Sequence, residues 1–302
     1  MGQERIIHAA LLGAGTVGSG VYKLVKDLEE EIISKTGARL VVDKILVRDT
    51  TKAREGIPSE LLIDRWDEIL NDPQIEIVIE VMGGIRPALT WLEEALRAGK
   101  QVVTANKDLL AEYGEQLFDA AEAGKCDLHF EAAVAGAIPI RQSLVASELT
   151  EVMGIVNGTT NYILTRMTED GMGYEEALAL ATKLGYAESD PTADVEGYDA
   201  GRKVAIMASI AFNSNVTFSQ VYTEGITHIT AEDIRYAKEF GYVIKLIGMT
   251  RLTEGGVEVK VHPMLLPEQH PLSTVRDSFN AVFIHGEACD DAMFMGRGAG
   301  QL

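Results

Sequence analysis

Over the first 135 residues, short apolar runs alternate with stretches of helical periodicity. Residues 6–12, IIHAALL, form a mostly apolar run, which predicts a buried strand. A helical pattern follows through VYKLVKDLEEEI. RLVVDKILV (39–47) and IEIVIEVM (75–82) read as the next strands. A helix is expected to start near Pro87, which suits a first helical position, and to stop near Gly99. QVVTA (101–105) reads as a strand, DLLAEYGEQLFDAAEAGK as a helix and DLHFEAAV (127–134) as another strand. Such alternation predicts an α/β domain, residues 1–135, with a Rossmann-type, doubly wound parallel sheet.

Beyond residue 135 the pattern changes. NGTTNYIL (157–164) and YEEALALATKLGY (174–186) lead into helices, and Asp194 is placed as N-cap of a long helix over 195–212. YVIKLIGMTRL (242–252), GVEVKVHPMLL (256–266) and NAVFIHGE (280–287) read as strands. The expectation for residues 136–302 is an α+β domain with a mixed sheet and helices on one side.

The turn after the first strand, GAGTVG, carries Gly13, Gly15 and Gly18 as G-x-G-x-x-G between a strand and a helix. That context points to a dinucleotide site. Gly13 would allow the tight turn, Gly15 a close approach to pyrophosphate and Gly18 tight helix packing. Thr16 and Val17 open the helix, whose free N–H groups would face the phosphates. The second strand ends at Arg48, where an NAD site usually has an acid for the ribose 2′-hydroxyl. Arg48 suits a 2′-phosphate, so NADP is favoured, and Asp49 leaves NAD open. Two further stretches fall at strand tips: MGG at 82–84, and TANK, with Thr104, Asn106 and Lys107. A lysine at a helix start opposes the helix dipole, which hints at a use for Lys107.

Composition narrows the partners. Of 302 residues 46% are hydrophobic, enough for about two domains with real cores. A net charge of −19 argues against a nucleic-acid backbone and against an anionic membrane surface. The apolar run at the N-terminus is too short to span a bilayer and lacks a signal-peptide layout. Cys126 and Cys289 have no metal-ligand or redox spacing, and a cytoplasmic protein with reduced thiols is expected.

One stretch, GYAESDPTADVEGYDAGRK (185–203), gathers five carboxylates around a single lysine. Asp199 and Lys203 are four residues apart and share a helical face, with the acid N-terminal. They would form either a surface pair or a functional pair facing a cofactor across a domain cleft. Gly197 and Gly201 bare a strip of the same helix for a ligand or for packing.

TANK, EAAVAGAIPI (131–140), NGTTNYIL and the 185–203 stretch together, in this order, resemble homoserine dehydrogenase over essentially the whole chain. The resemblance implies reversible NAD(P)H-dependent reduction of L-aspartate 4-semialdehyde to L-homoserine, a step toward threonine and methionine. It assigns the acid–base role to Lys203 and puts Lys107 near the reaction centre. It puts Glu188 and Asp199 on the substrate, and Asp194 is a further carboxylate for the substrate ammonium. Gly185 and the 158–159 backbone would lie beside the nicotinamide, and Thr159 is expected on the substrate. EAAVAGAIPI looks like the family's monovalent-cation loop, with Glu131, Val134, Gly136 and Ile138 offering oxygens to Na⁺. A homodimer or higher homo-oligomer is expected. Family members usually continue beyond a point matching GRGAGQL, many into an ACT domain. A truncated form, with activity in doubt and no threonine feedback through such a domain, is therefore an expectation. So is the absence of a fused aspartate kinase.

Two other readings compete. A dehydrogenase working through a thiohemiacetal would need an activated cysteine. An NADPH-binding sensor would need no lysine–carboxylate group at all.

Overall fold

The computed structural model describes residues 5–134, 138, 149–286 and 290–298. The chain divides into two compact units after Phe130.

In the first unit the elements run β1 (Arg5–Leu12), α1 (Thr16–Asp27), α2 (Glu29–Thr36), β2 (Ala38–Leu46), β3 (Leu62–Ile63), α3 (Asp67–Leu70), β4 (Ile75–Glu80), α4 (Ala88–Arg97), β5 (Gln101–Thr104), α5 (Lys107–Gly124) and β6 (Leu128–His129). The sheet order is β3-β2-β1-β4-β5-β6, and every pair is parallel. The winding therefore reverses between β1 and β4, the point at which such sheets hold ligands. Leu11, Val42, Ile45 and Leu62 pack with Val21, Tyr22 and Val25 of α1 into one core. Full burial of a side chain such as Leu11 or Ile45 contributes roughly 1.5–3 kcal/mol.

Two expectations fail locally. The single helix expected after the glycine turn breaks at Leu28, because Glu29, Glu30 and Glu31 start a second helix. Acids are favoured in a first turn by the helix dipole. The strand expected over 127–134 keeps only two residues. β5 stays in register with Leu128 and His129, and Glu131–Ala133 turns into a 3₁₀ helix.

In the second unit the elements are β7 (Leu149–Ile155), α6 (Gly158–Asp170), α7 (Tyr174–Lys183), α8 (Thr192–Val195), α9 (Tyr198–Ala211), β8 (Tyr222–Thr223), α10 (Ala231–Glu239), β9 (Tyr242–Thr253), β10 (Gly256–Pro267), β11 (Phe279–Gly286) and β12 (Asp290–Arg297). They form a sheet of order β12-β11-β7-β9-β10-β8, antiparallel except for the β10–β8 pair. α9 lies against one face. A Cβ on Gly248 of β9 would stand 2.1 Å from Val204 Cγ2, so the glycine sets how closely the helix can approach. The other face carries Met153, Ile155, Ile247, Met249, Leu266 and Phe283 under Leu272 and Val275.

Asp194 does not cap the long helix. It lies inside α8, which closes when the Gly197 N–H donates to the Asp194 carbonyl. Gly197, at φ +81°, then turns the chain into α9 as its N-cap. Among the described residues no helix is long and apolar enough to cross a membrane.

Candidate functional site

The glycine turn of the first unit is built for close approach. Gly13 has φ +101°, donates its N–H to the Leu46 carbonyl, and a Cβ there would meet Met82 Cβ at 2.9 Å. A Cβ on Gly18 would stand 2.1 Å from the Gly13 carbonyl oxygen. Gly15 differs: the space where its Cβ would be is open. It is the N-cap of α1 and offers no side-chain acceptor, and Thr16 and Val17 are exposed. The first N–H groups of α1 are thus left for an outside anion. This turn fits a pyrophosphate.

Next to it, one buried carboxylate organises two loops. Glu80, at the end of β4, is fully buried. Its Oε1 accepts the N–H of Met82 (2.9 Å) and of Gly83 (3.0 Å), and its Oε2 accepts the Thr104 hydroxyl at 2.6 Å. Thr104 Oγ1 accepts the Asn106 N–H, and Asn106 Nδ2 donates to the Gly84 carbonyl. The MGG and TANK loops are therefore held as one piece. Gly83 and Gly84 keep left-handed φ angles of +68° and +75° above open space. The Thr104 side chain serves this network rather than a free surface. Lys107 follows, partly buried, at the first position of α5, whose N-cap is Asn106.

Arg48 is exposed just beyond β2 and has no ion-pair partner among the described residues. Asp49 is engaged locally. It accepts the Thr51 N–H and hydroxyl, which hold its carboxyl below the usual range.

In the second unit the structure gathers Asn157, Thr159, Asp194, Asp199 and Lys203. Lys203 Nζ donates to Asp199 Oδ2 at 2.7 Å and to the Val156 carbonyl at 2.8 Å. Asn157 is the N-cap of α6, and its Oδ1 accepts the Thr160 N–H. Its Nδ2 donates to Asp194 Oδ1 (2.7 Å) and to Asp199 Oδ2 (3.0 Å). The Thr159 hydroxyl donates to the Tyr186 carbonyl and so ties α6 to the 184–190 turn. Burial pushes the Asp194 carboxyl up; Asn157 opposes this, while the Asp199 charge adds to it.

Glu188 is exposed and makes no hydrogen bond to this group. Gly185, at φ +79°, has open space around it. Asp190 accepts the Thr192 N–H at the start of α8. The glycine strip on α9 is taken by packing. A Cβ on Gly201 would stand 2.6 Å from Phe218 Cε2, and one on Gly197 3.1 Å from Thr223 Cγ2.

Of the cation loop, Glu131 accepts the Val134 N–H through its carbonyl, and Val134 and Ile138 are buried. Gly136 lies outside the described residues, as does Cys289. Among the described residues no group of three His, Cys, Asp or Glu could hold a metal ion. Burial pushes the Cys126 thiol up, and its sulfur donates to the Leu96 carbonyl. It is a packed thiol rather than a nucleophile, which removes the basis for a thiohemiacetal route at Cys126.

Sequence reasoning missed two residues, Glu80 and Asn157. Each left a signal: an acid at the end of an apolar strand, and an asparagine directly before a helix.

A sheet with this strand order and turn, in one chain with a lysine clamped to a buried carboxylate, defines an NAD(P)-dependent oxidoreductase. Residues 13–131 match the family model for the NAD binding domain of homoserine dehydrogenase, and residues 137–302 match that for homoserine dehydrogenase. The homoserine dehydrogenase of Bacillus subtilis is 47% identical over 303 residues, 99% of this chain and 70% of that protein. That of Corynebacterium glutamicum is 48% identical over 308 residues, 99% and 69% of the two chains. The crystal structure of a homoserine dehydrogenase from Thiobacillus denitrificans superposes with a TM-score of 0.93 at 43% identity, covering 98% of this chain and 70% of that one. A hyperthermophilic archaeal homoserine dehydrogenase in complex with NADPH shares the fold, with a TM-score of 0.82 at 23% identity, covering 98% and 92%. The chain belongs to the homoserine dehydrogenase family, oxidoreductases acting on the CH–OH group of homoserine.

Proposed function

We propose that this chain performs its family's reaction with Lys203 as the proton donor to the substrate oxygen. The carrying observation is the Lys203 ammonium held 2.7 Å from Asp199, with Asn157 linking Asp199 to Asp194. In aldehyde reduction a proton must reach the oxygen as carbon is reduced. A lysine can supply it if burial and neighbours tune its acidity. Lys203 is mostly buried and oriented by two acceptors, which limits its wandering.

Asp194 and Asp199 are proposed to receive the substrate ammonium. Two carboxylates held near each other in a buried setting repel, and an arriving cation relieves that repulsion. The raised pKa of Asp194 supports this reading. Glu188, which is exposed, is proposed as a third acid for the ammonium.

NADP is proposed as the dinucleotide; when bound it supplies the hydride. Gly13, Gly15, Thr16, Val17 and Gly18 would hold its pyrophosphate and Arg48 its 2′-phosphate. The loops fixed by Glu80 and Thr104, with Lys107, would hold the nicotinamide half; Gly185, on the second unit, is proposed separately as a cofactor contact. Arg48, exposed and without an ion-pair partner among the described residues, supports NADP over NAD, since Asp49 is committed to Thr51. We further propose Na⁺ on the loop from Glu131 to Ile138, a homodimer, a boundary near residue 135 between nucleotide and substrate domains, and a cytoplasmic location.

The experiment is homoserine-dependent reduction of NADP⁺ by the purified chain, with NAD⁺ in parallel. Turnover of homoserine supports the reading. Dinucleotide binding without turnover would instead favour a sensor.

A further inference from the structure

Lys245 sits on β9 and is 3% exposed. Nothing in the reaction described above uses it. Burying an ammonium is costly, and a methionine of similar length would fill the volume without that cost. Its hydrogen bonds show where the charge is spent. Nζ donates to Asn161 Oδ1 at 2.9 Å and to the Val275 carbonyl at 2.6 Å. Burial pushes the ammonium down to about 8, so it is charged at neutral pH; nearby Glu169 and Asp277 favour the charge, and Arg276 opposes it.

Asn161 is buried on α6 and reaches the same segment. Its Nδ2 lies within hydrogen-bond distance of three carbonyls, those of Val275 (3.4 Å), Asp277 (2.9 Å) and Phe279 (3.2 Å). One turn further along α6, Thr165 Oγ1 accepts the Asp277 N–H at 3.2 Å. At the helix start, a Cβ on Gly158 would stand 2.8 Å from the Ser278 carbonyl oxygen. The first two turns of α6 are thus pressed onto the backbone of residues 275–279, and Lys245 closes the contact from the sheet. Asn161 follows Asn157 by four residues, and its N–H donates to the Asn157 carbonyl at 3.3 Å. Asn157 is the residue whose amide holds Asp194 and Asp199.

We propose that Lys245 and Asn161 are positioning residues for the reaction: their clamp on residues 275–279 fixes the first turn of α6, and through Asn157 it sets how Asp194 and Asp199 stand against Lys203. This rests on the reading of Lys203 as proton donor. The offset involved is small. A displacement on the order of 1 Å at a reacting group costs about 10²-fold in rate.

The test is Lys245→Met in two backgrounds, the unaltered chain and Lys203→Met, with kcat, dinucleotide Kd, melting temperature and the pH–rate profile measured. In the unaltered chain kcat should fall about 10- to 100-fold. The limb of the profile belonging to the proton donor should move, and dinucleotide Kd should hold within about 2-fold. In the Lys203→Met background the same change should cost less than about 2-fold in kcat, because the group being positioned is gone. Thr165→Val, which loses one tie with little change of volume, should shift the profile the same way by less, and it carries the test if Lys245→Met does not fold. A lowered melting temperature with kcat and profile unmoved would overturn the proposal and leave Lys245 as a fold-holding residue. Equal losses in both backgrounds would overturn it as well. If Lys203→Met alone keeps normal turnover, the proton-donor reading fails first and takes this proposal with it.

Discussion

Lys203 and Asp199 stand one turn apart on α9, with Nζ 2.7 Å from Oδ2 and side chains only 17% and 12% exposed. On a surface such a pair would contribute about 0.3–0.5 kcal/mol. In a buried setting the desolvation of both ions consumes most of their attraction, so stability alone is a poor reason to keep them. Their chemistry is the better reason.

Lys203→Met should therefore reduce kcat for homoserine oxidation and aldehyde reduction by about 10²–10⁴-fold. Dinucleotide Kd should stay within about 2-fold. Because Asp199 is left buried without its cation, the melting temperature should fall as well. Stopped-flow turnover, a dinucleotide titration and a thermal melt on the one variant separate these effects. Near-normal turnover would move the acid role to Lys107.

Asp194→Asn should make the protein more stable and less active. The folded pKa of Asp194 lies above its unfolded value, chiefly through burial. Folding then binds this proton more tightly, so its contribution to stability is present at low pH and is lost as pH rises through the folded pKa. An asparagine removes that loss and can still accept from Asn157. Melts from pH 4 to pH 8 should show the variant gaining on the unaltered chain as pH rises. KM for homoserine should rise about 10-fold or more with the loss of one charge-assisted contact. An unchanged KM would remove Asp194 from the substrate.

Arg48→Ala tests dinucleotide choice. A charge-assisted contact to a phosphate is worth about 1.5–3 kcal/mol. NADPH should bind roughly 10- to 100-fold more weakly, with NADH nearly unaffected. Equal weakening of both would show that Arg48 does not read the 2′-phosphate.

Glu80→Gln asks whether two loops share one anchor. The amide can accept through one oxygen only, and its NH₂ would face a donor or upset the Thr104 hydroxyl. Loosening the MGG and TANK loops should raise dinucleotide Kd by about 10-fold, for NADH and NADPH alike, at a stability cost of about 1–3 kcal/mol. A variant with lowered stability but unaltered Kd for both would confine Glu80 to the fold.

Much was legible because it depends on local chemistry. The apolar runs gave β1, β2, β4, β9, β10 and β11, and the 13–18 turn could be read because only glycine tolerates φ +101° with Met82 so near. β7 was missed, although it is central. LTEVMGI carries a glycine and two polar residues, and it becomes a strand because β9 and β11 supply its hydrogen bonds from distant parts of the chain. The five acids near Lys203 were visible, but their division of labour was not. Spacing put Asp199 and Lys203 on one face. Bringing Asp194 to the same group took the Gly197 turn between two helices and an asparagine 37 residues away in sequence. Glu80 and Lys245 show the same limit in reverse, since a charge within an apolar strand says only that something must satisfy it. The partners come from other elements, Thr104 on β5 and Asn161 on α6. Periodicity and turn chemistry act between neighbours along the chain, whereas a buried charge takes its role from whichever groups the packed fold brings within about 3 Å of it.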